Sequence, residues 1–258
     1  MIVAGCDVGS LTAKAVILSN RRILAFEVIR SGFRPEESAK EVMEKALEKA
    51  NITMDQVGYC VGTGYGRERM TFVDKVASEI ACHAKGARWL IPSVRTVIDI
   101  GGQDCKAMHL DRDGNIIKFV TNDKCAAGTG RFLEVMAKAL GVGLEELGLL
   151  SDRARNPLVL ASTCTVWAQA EVIHHLNTKK PLEDIGAAVN QAMAKRVSIM
   201  ANAAGVERDL CITGGVAKNK GVVTALEKLL GMRTKRARVD PQIIGALGAA
   251  AMAWESVS

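Results

Sequence analysis

Short apolar runs separated by polar turn residues open the chain and predict strands joined by short turns. Three strands are expected in the first thirty residues, at Met1–Cys6, Ala13–Leu18 and Ile23–Arg30. A helix is expected after Pro35, because apolar residues recur there at helical spacing. A short strand at Val57–Val61 and a helix over Lys75–Leu90 complete this half of the chain.

The same order of elements starts again after Pro92. Strands are expected at Thr96–Ile100, Lys106–Leu110, Ile116–Thr121 and Asp209–Thr213. Helices are expected at Gly130–Leu140, Thr165–Leu176, Leu182–Ala203, Asn219–Leu230 and Pro241–Trp254. This repeat predicts an α/β protein of two duplicated lobes with a cleft between them. We expect the first lobe to span residues 1–94 and the second 95–240, with the last helix, 241–258, packed back on the first lobe.

Composition narrows the class of protein. The chain has 258 residues, 48% of them hydrophobic and 24% charged, which is typical of a globular protein in water. No apolar run is long enough to span a bilayer, and no secretory signal is visible. Seven cysteines without regular spacing favour a reducing cytoplasm over a disulfide framework. We therefore expect a cytoplasmic protein that does not associate with membranes.

The formal charge of +6 includes a local basic cluster at Arg233, Lys235, Arg236 and Arg238. Nucleic acid is one interpretation of such a cluster. A solvated face or a docking site for an acidic protein fits better, because few aromatic residues accompany the cluster. We expect no nucleic-acid partner.

The first candidate for phosphate binding is Asp7-Val8-Gly9-Ser10-Leu11-Thr12-Ala13-Lys14. Gly9 lets the backbone approach a phosphate, and Ser10, Thr12 and Lys14 can donate to its oxygens. Asp7 could hold a hydrated Mg²⁺. An ordinary β-turn capped by aspartate explains the same residues.

A second loop, Asp99-Ile100-Gly101-Gly102-Gln103-Asp104-Cys105-Lys106, repeats this pattern at the start of the second half. Two such loops facing each other would hold the β- and γ-phosphates and the metal, with Gln103 or Asp104 orienting the attacking water. The candidate residues in this loop are Asp99, Gly101, Gly102, Gln103, Asp104 and Lys106.

A third glycine turn, Thr213-Gly214-Gly215-Val216-Ala217-Lys218-Asn219, lies where a strand meets a helix. Gly214 and Gly215 would let a base or ribose press against the backbone, with Lys218 beside them, although many α/β turns look like this. In this order the three loops resemble those of the superfamily of acetate kinase, sugar kinases, heat-shock ATPases and actin. That resemblance implies a ribonuclease-H-like, actin-like ATPase fold that clasps ATP with two phosphate loops and an adenosine loop. The small residues of Gly245-Ala246-Leu247-Gly248-Ala249-Ala250 match its interlobe helix.

Two cysteines lie near predicted helix starts, Cys125 in Asn122-Asp123-Lys124-Cys125-Ala126-Ala127-Gly128-Thr129-Gly130 and Cys164 in Ser162-Thr163-Cys164-Thr165-Val166. Helix N-termini favour anionic thiolate ligands. The alternative is that both are buried structural thiols, which is the more common role of cysteine. The other five cysteines lie in apolar patterns and are predicted to be structural: Cys6, Cys60, Cys82, Cys105 and Cys211.

The cysteine motifs, together with Gly62-Thr63-Gly64-Tyr65-Gly66-Arg67, resemble those of the ATP-dependent activators of 2-hydroxyacyl-CoA dehydratases. The ATPase subunits of benzoyl-CoA reductase and the reductases of double-cubane cluster proteins are related. The resemblance implies a homodimer in which Cys125 and Cys164 of both subunits hold one four-iron four-sulfur cluster, with Gly128 in the same motif. One chain offers two of the four ligands that the cluster needs, so a second copy of the chain must supply the other two.

The function implied is an ATPase that takes an electron from ferredoxin or flavodoxin and passes it to a partner iron–sulfur dehydratase or reductase. A small-molecule kinase without a cluster and a non-catalytic actin-like assembly protein are the alternatives from other classes. The four histidines share no metal spacing and are read as structural or surface residues. Trp167, beside Cys164, would either shield the cluster or belong to the core.

Overall fold

The computed structural model describes residues 1–162 and 164–257. The first half of the chain forms a five-stranded sheet in the order β3-β2-β1-β4-β5. Its strands are β1 (Ile2–Val8), β2 (Thr12–Ser19), β3 (Arg22–Arg30), β4 (Tyr59–Thr63) and β5 (Lys75–Val76). Helices α1 (Pro35–Ala50) and α2 (Glu79–Leu90) belong to the same half. β1 and β2 are almost wholly buried, which explains their near-continuous apolar sequences.

The second half forms a four-stranded sheet in the order β8-β7-β6-β9. Its strands are β6 (Thr96–Ile100), β7 (Cys105–Leu110), β8 (Ile116–Asn122) and β9 (Leu210–Thr213). The helices are α3 (Gly130–Leu140), α4 (Leu144–Arg153), α5 (Thr165–Asn177), α6 (Leu182–Ala204), α7 (Lys220–Leu230) and α8 (Ile244–Val257). The largest apolar core lies here, with α6 running through it. Among the residues described, no helix is long and apolar enough to cross a membrane.

The internal repeat is visible in the strand register. In the first sheet Asp7 lies opposite Lys14 on the antiparallel neighbour and opposite Thr63 on the parallel neighbour. In the second sheet Asp99 lies opposite Lys106 and Thr213 in the same way. The duplication therefore extends from the order of elements to the positions of individual polar residues.

Two element predictions were wrong. The helix expected from Lys75 begins at Glu79, because Lys75–Val76 pairs with β4 as an edge strand and Ser78 then caps the helix. Helix α4 was not predicted. Its apolar residues include Leu147 and Leu150, which pack into the core of the second half, but the helix is short and begins at glycine without a side-chain cap.

Helix α8 packs on α2 and on the first sheet through glycine contacts. A Cβ added to Gly248 would lie 1.8 Å from the Cys82 carbonyl oxygen, and one added to Gly86 would lie 2.1 Å from the Ile244 carbonyl oxygen. On the sheet side, a Cβ on Gly5 would lie 2.1 Å from the Ala246 carbonyl oxygen. The last helix thus contacts the first sheet. The exact lobe boundaries stay a prediction.

This close packing makes Gly248 a sensitive position. We expect Gly248→Ala to lower the free energy of unfolding by about 1–3 kcal/mol, because the helices must separate to accept the methyl group. Urea unfolding followed by circular dichroism measures the loss. Gly143→Ala is the matched control, since a Cβ there meets nothing within 4 Å and its φ is −76°. Equal stabilities for the two variants would contradict the prediction.

Candidate functional site

The two candidate phosphate loops face each other. A Cβ added to Gly102 in the second loop would lie 2.4 Å from Leu11 Cδ1 in the first loop. The contact joins the segment that follows β1 to the segment that follows β6. The structure therefore brings the two glycine loops into contact with each other.

The first loop is a tight turn between β1 and β2. The Gly9 amide donates to the Thr12 carbonyl at 3.0 Å. Lys14 Nζ lies 3.1 Å from Asp7 Oδ2, and both side chains are largely buried. On the other side of Asp7, Gly64 has a φ of +94° and lies so close that a Cβ there would be 2.5 Å from Asp7 Oδ1. Ser10 is exposed at the tip of the turn.

The second loop places a buried carboxylate among donors. The Thr213 hydroxyl donates to Asp99 Oδ1 at 2.9 Å, and Lys106 Nζ lies 3.8 Å from Asp99 Oδ2. Lys106 also binds Glu79 at 2.6 Å and Asp104 at 2.5 Å. Burial acts to raise the pKa of Asp99, but His83, Lys106 and the Thr213 hydroxyl outweigh it and hold the pKa below its ordinary value of 3.8. Asp99 is therefore a permanent anion at neutral pH.

Lys106 is held as a cation by the same cluster. Burial acts to lower its pKa, but Asp99, Glu79 and Asp104 together raise it. Gln103, between the glycines and Asp104, is exposed. Ser10 is exposed likewise, so both side chains lie outside the buried network.

His83 is a site residue that sequence reasoning missed. It lies on α2, with Nδ1 3.0 Å from the Thr213 hydroxyl and 3.3 Å from Asp99 Oδ1. A Cβ on Gly245, at the start of α8, would lie 2.7 Å from Asp7 Oδ2 and 2.9 Å from His83 Nε2. The helices α2 and α8 thus place His83 and Gly245 between the two aspartates. A lone histidine on a helix of mixed apolar and charged residues carries no signal of this.

The adenosine-loop candidates are placed in two different ways. Gly214 has a φ of +83° and lies against Asp99, since a Cβ there would be 2.8 Å from Asp99 Oδ1. Lys218 points elsewhere, to Asp240 and Gln242 at 2.6 Å each. Gly215 also lies beside the Gln242 side chain. Gly214 therefore lies against Asp99, whereas Gly215 and Lys218 lie beside Gln242 in the turn that leads into α8.

Helix α3 is hydrogen-bonded directly to the second phosphate loop. The Gly130 amide donates to the Gly101 carbonyl, and the Arg131 amide donates to the Gly102 carbonyl, both at 2.8 Å. These two bonds use free amides of the first helical turn. The second candidate phosphate loop is therefore linked to the start of α3 by backbone hydrogen bonds, without an intervening side chain.

Cys125 and Cys164 are exposed and line one open cavity of about 440 Å³. Cys164 is the N-cap residue of α5, as expected. Cys125 lies five residues before α3 rather than at its start, in a loop held by Asn122, whose side chain donates to the Cys125 carbonyl at 2.9 Å and accepts from the Cys125 amide at 3.3 Å. Gly128, with a φ of +87°, lines the same cavity. It therefore lies with the cysteines.

The remaining five cysteines are all buried, as predicted. Burial raises the pKa of Cys60, Cys82 and Cys211 to about 12 and raises those of Cys6 and Cys105 as well. Cys105 borders the same cavity, but its thiol stays protonated. Within residues 1–162 and 164–257 no group of three or more His, Cys, Asp or Glu side chains is arranged to hold a metal ion. A single chain thus presents two accessible thiols and no complete metal site in its described part.

Apolar side chains surround the exposed end of α5. Val166 and Trp167, two and three residues after Cys164, each expose 69% of their surface. The interpretation of Trp167 as a core residue is therefore wrong. An exposed tryptophan and valine beside two exposed cysteines form a surface suited to contact with another protein molecule.

Comparison with known proteins gives a consistent result. The model of the BadF/BadG/BcrA/BcrD ATPase family matches residues 4–253. The (R)-2-hydroxyglutaryl-CoA dehydratase activating ATPase of Acidaminococcus fermentans is 41% identical over 256 residues, which cover 98% of this chain and 97% of the relative.

Solved structures agree with the match. The activator of the 2-hydroxyisocaproyl-CoA dehydratase from Clostridium difficile with bound ADPNP superposes with a TM-score of 0.95 at 44% identity, covering 99% of this chain and 95% of the other. A ROK family glucokinase from Streptomyces griseus, in complex with glucose and AMPPNP, has a TM-score of 0.56 at 12% identity over 99% of this chain and all of the glucokinase. The glucokinase shares the fold alone. The predicted actin-like ATPase fold is confirmed.

Proposed function

The chain belongs to the BadF/BadG/BcrA/BcrD ATPase family, and on that premise we propose that it couples ATP hydrolysis to the transfer of one electron. It is an ATPase of the dehydratase-activator type. In the proposed function a homodimer holds one four-iron four-sulfur cluster, receives the electron from ferredoxin or flavodoxin, and delivers it to a 2-hydroxyacyl-CoA dehydratase or a related iron–sulfur enzyme.

The observation that carries the cluster proposal is the pair of exposed cysteines on one cavity. Thiolates are the usual ligands of iron–sulfur clusters, and a cubane needs four of them. Two chains related by a two-fold axis supply four cysteines, two from each. The exposed Trp167 and Val166 provide apolar surface for that contact. When bound, the cluster supplies one-electron redox chemistry, which no side chain at the cavity offers.

The nucleotide proposal rests on the two facing loops. Asp7 and Asp99 are buried carboxyl groups at equivalent positions of the two sheets, each beside a lysine. Carboxylates in this setting suit a hydrated Mg²⁺, and the lysines and loop amides suit phosphate oxygens. We assign Asp7 and Asp99 to the metal side of the site, Lys14 and Lys106 to the phosphates, and Gln103 or Asp104 to the attacking water.

Coupling follows from the hydrogen bonds between the second phosphate loop and α3. A change in the Gly101–Gly102 backbone on hydrolysis displaces the amides of Gly130 and Arg131. The Cys125 loop leads directly into this helix, so the displacement reaches one of the cysteines in each subunit. In this proposal the helix start is the bistable element that links the two sites.

We therefore expect nucleotide to change the properties of the cluster. Mg²⁺ with ATP or a non-hydrolysable analogue is expected to change the rate of iron removal by a chelator several-fold, or to shift the reduction potential. The measurement follows absorbance of the chelated iron in anaerobic protein with and without nucleotide. Magnesium with AMP serves as the control, because AMP lacks the β- and γ-phosphates that would reach both loops. Identical chelation rates and potentials in all samples would show that ATP is not coupled to electron transfer.

A further inference from the structure

Arg196, on α6, is held in an unusual position beside the cysteine cavity. Its Nη2 donates to the Ser162 carbonyl at 2.8 Å, and its guanidinium lies over the Phe132 ring at 5.0 Å from the centroid. Its Nη1 is buried and has no hydrogen-bond partner in the described part of the chain. A buried donor without a partner costs about 1–3 kcal/mol, and more when it is charged. Such a donor indicates a missing acceptor.

The environment of Arg196 indicates what the acceptor is. Arg196 lines the cavity together with Cys125, Cys164 and Gly128. Burial lowers the pKa of Arg196, and the side chains of Cys125 and Cys164 act in the opposite direction. The neighbours that favour the charged form of Arg196 are therefore cysteine side chains.

We propose that Arg196 donates a charge-assisted hydrogen bond from Nη1 to a sulfur of the cluster site and raises the reduction potential of the cluster. The inference rests on the proposed function, because it takes Cys125 and Cys164 to hold the cluster. Reduction adds one negative charge, and a fixed cation with a donor aimed at sulfur stabilises the reduced form more than the oxidised form. Arg196 thus makes the cluster easier to load with an electron.

A second residue holds the Cys164 loop independently of Arg196. Glu171 Oε1 accepts from the Ala161 amide at 3.0 Å, and Oε2 accepts from the Ser162 amide at 3.2 Å. Loss of the bond from Arg196 to the Ser162 carbonyl therefore leaves two hydrogen bonds on this segment. Because the loop keeps the two bonds to Glu171, substitution of Arg196 should leave the backbone of this segment in place. A change in the properties of the cluster can then be assigned to the contact between Arg196 and sulfur.

The test compares three variants of the anaerobically purified dimer. Arg196→Met removes the charge and both donors, Arg196→Lys keeps a charge, and Lys195→Met removes a neighbouring exposed charge on the same helix. The readouts are iron and sulfide content, the midpoint potential from spectroelectrochemical titration, and the melting temperature. We expect Arg196→Met to lower the reduction equilibrium constant about tenfold, a shift of about 59 mV to more negative potential. Arg196→Lys should give a smaller shift, and Lys195→Met should leave the potential unchanged.

Results other than the expected shift in potential also test the role of Arg196. A cluster-loaded Arg196→Met with the wild-type potential overturns the inference, and the proposed function stands. Loss of iron in Arg196→Met that Arg196→Lys restores supports the inference, because it requires a cation at the sulfurs. Loss of iron in both variants overturns it and assigns Arg196 to the ordering of the Ser162 segment. Wild-type protein without iron and sulfide would instead contradict the proposed function itself.

Discussion

Replacement of Cys125 or Cys164 by alanine is expected to abolish the iron–sulfur content of the protein. Each substitution removes two of the four proposed ligands from the dimer, since both subunits carry it. The fold should persist, because both side chains are exposed and neither belongs to the core. Iron and acid-labile sulfide, measured after anaerobic purification, should fall to background, and the brown colour of the wild-type protein should be lost.

The structure offers a sharper control for this experiment than sequence alone. Cys105 borders the same cavity but is buried, and burial raises the pKa of its thiol. Cys105→Ala and Cys82→Ala should therefore keep the full iron content. A complete cluster in Cys125→Ala or Cys164→Ala would contradict the ligand assignment. Loss of iron in Cys105→Ala would show that the cavity, rather than the two exposed cysteines, determines loading.

The repeat of the fold was predictable from sequence because local patterns carry it. An Asp-x-Gly turn follows an apolar strand in both halves, and a lysine follows each aspartate at the same spacing. Strand pairing then places Lys14 opposite Asp7 and Lys106 opposite Asp99. These relations depend only on residues close together along the chain, which is where sequence patterns are informative.

Residues that act through long-range packing were not predictable. His83 reaches Asp99 and Thr213 only because α2 crosses from the first half of the chain to the second. Arg196 likewise reaches the cysteine cavity from α6, far along the chain from Cys125. Neither residue belongs to a motif, so their environments became visible only when the tertiary structure was known.

The position of Cys125 shows the limit of motif reasoning in another way. The glycine-rich run around it predicted a helix start, and the helix does begin nearby, at Gly130. The intervening loop instead turns back so that Asn122 holds the Cys125 backbone. The side chain of Asn122, rather than a helix terminus, thus holds the backbone at Cys125. Of the two cysteines predicted near helix starts, only Cys164 lies directly at one.

Substitution of Asp99 by asparagine is expected to reduce ATP hydrolysis by about 100-fold, if Asp99 helps to stabilise transition-state charge through the metal. Asparagine fills the same volume and can still accept a hydrogen bond from Thr213. It removes the negative charge that His83 and Lys106 surround. Lys14→Ala should have an effect of similar size, because it removes the cation beside Asp7 at the equivalent position of the first sheet.

The matched control for Asp99→Asn is Asp209→Asn. Asp209 precedes β9 at the opposite end of the same sheet, where it pairs with Lys235 on the surface. Phosphate release under saturating Mg²⁺ and ATP should fall in Asp99→Asn and Lys14→Ala, while Asp209→Asn retains the wild-type rate. Iron content should stay unchanged in all three, because none of the three substituted side chains lines the cysteine cavity. The aspartate and lysine variants should lose ATP hydrolysis and keep iron, whereas the Cys125 and Cys164 variants should lose iron. This pair of results distinguishes a coupled ATPase from an iron–sulfur protein that only shares the fold. Wild-type turnover in both Asp99→Asn and Lys14→Ala would place the phosphates away from the two glycine loops and remove the premise of coupling through Gly101 and Gly102.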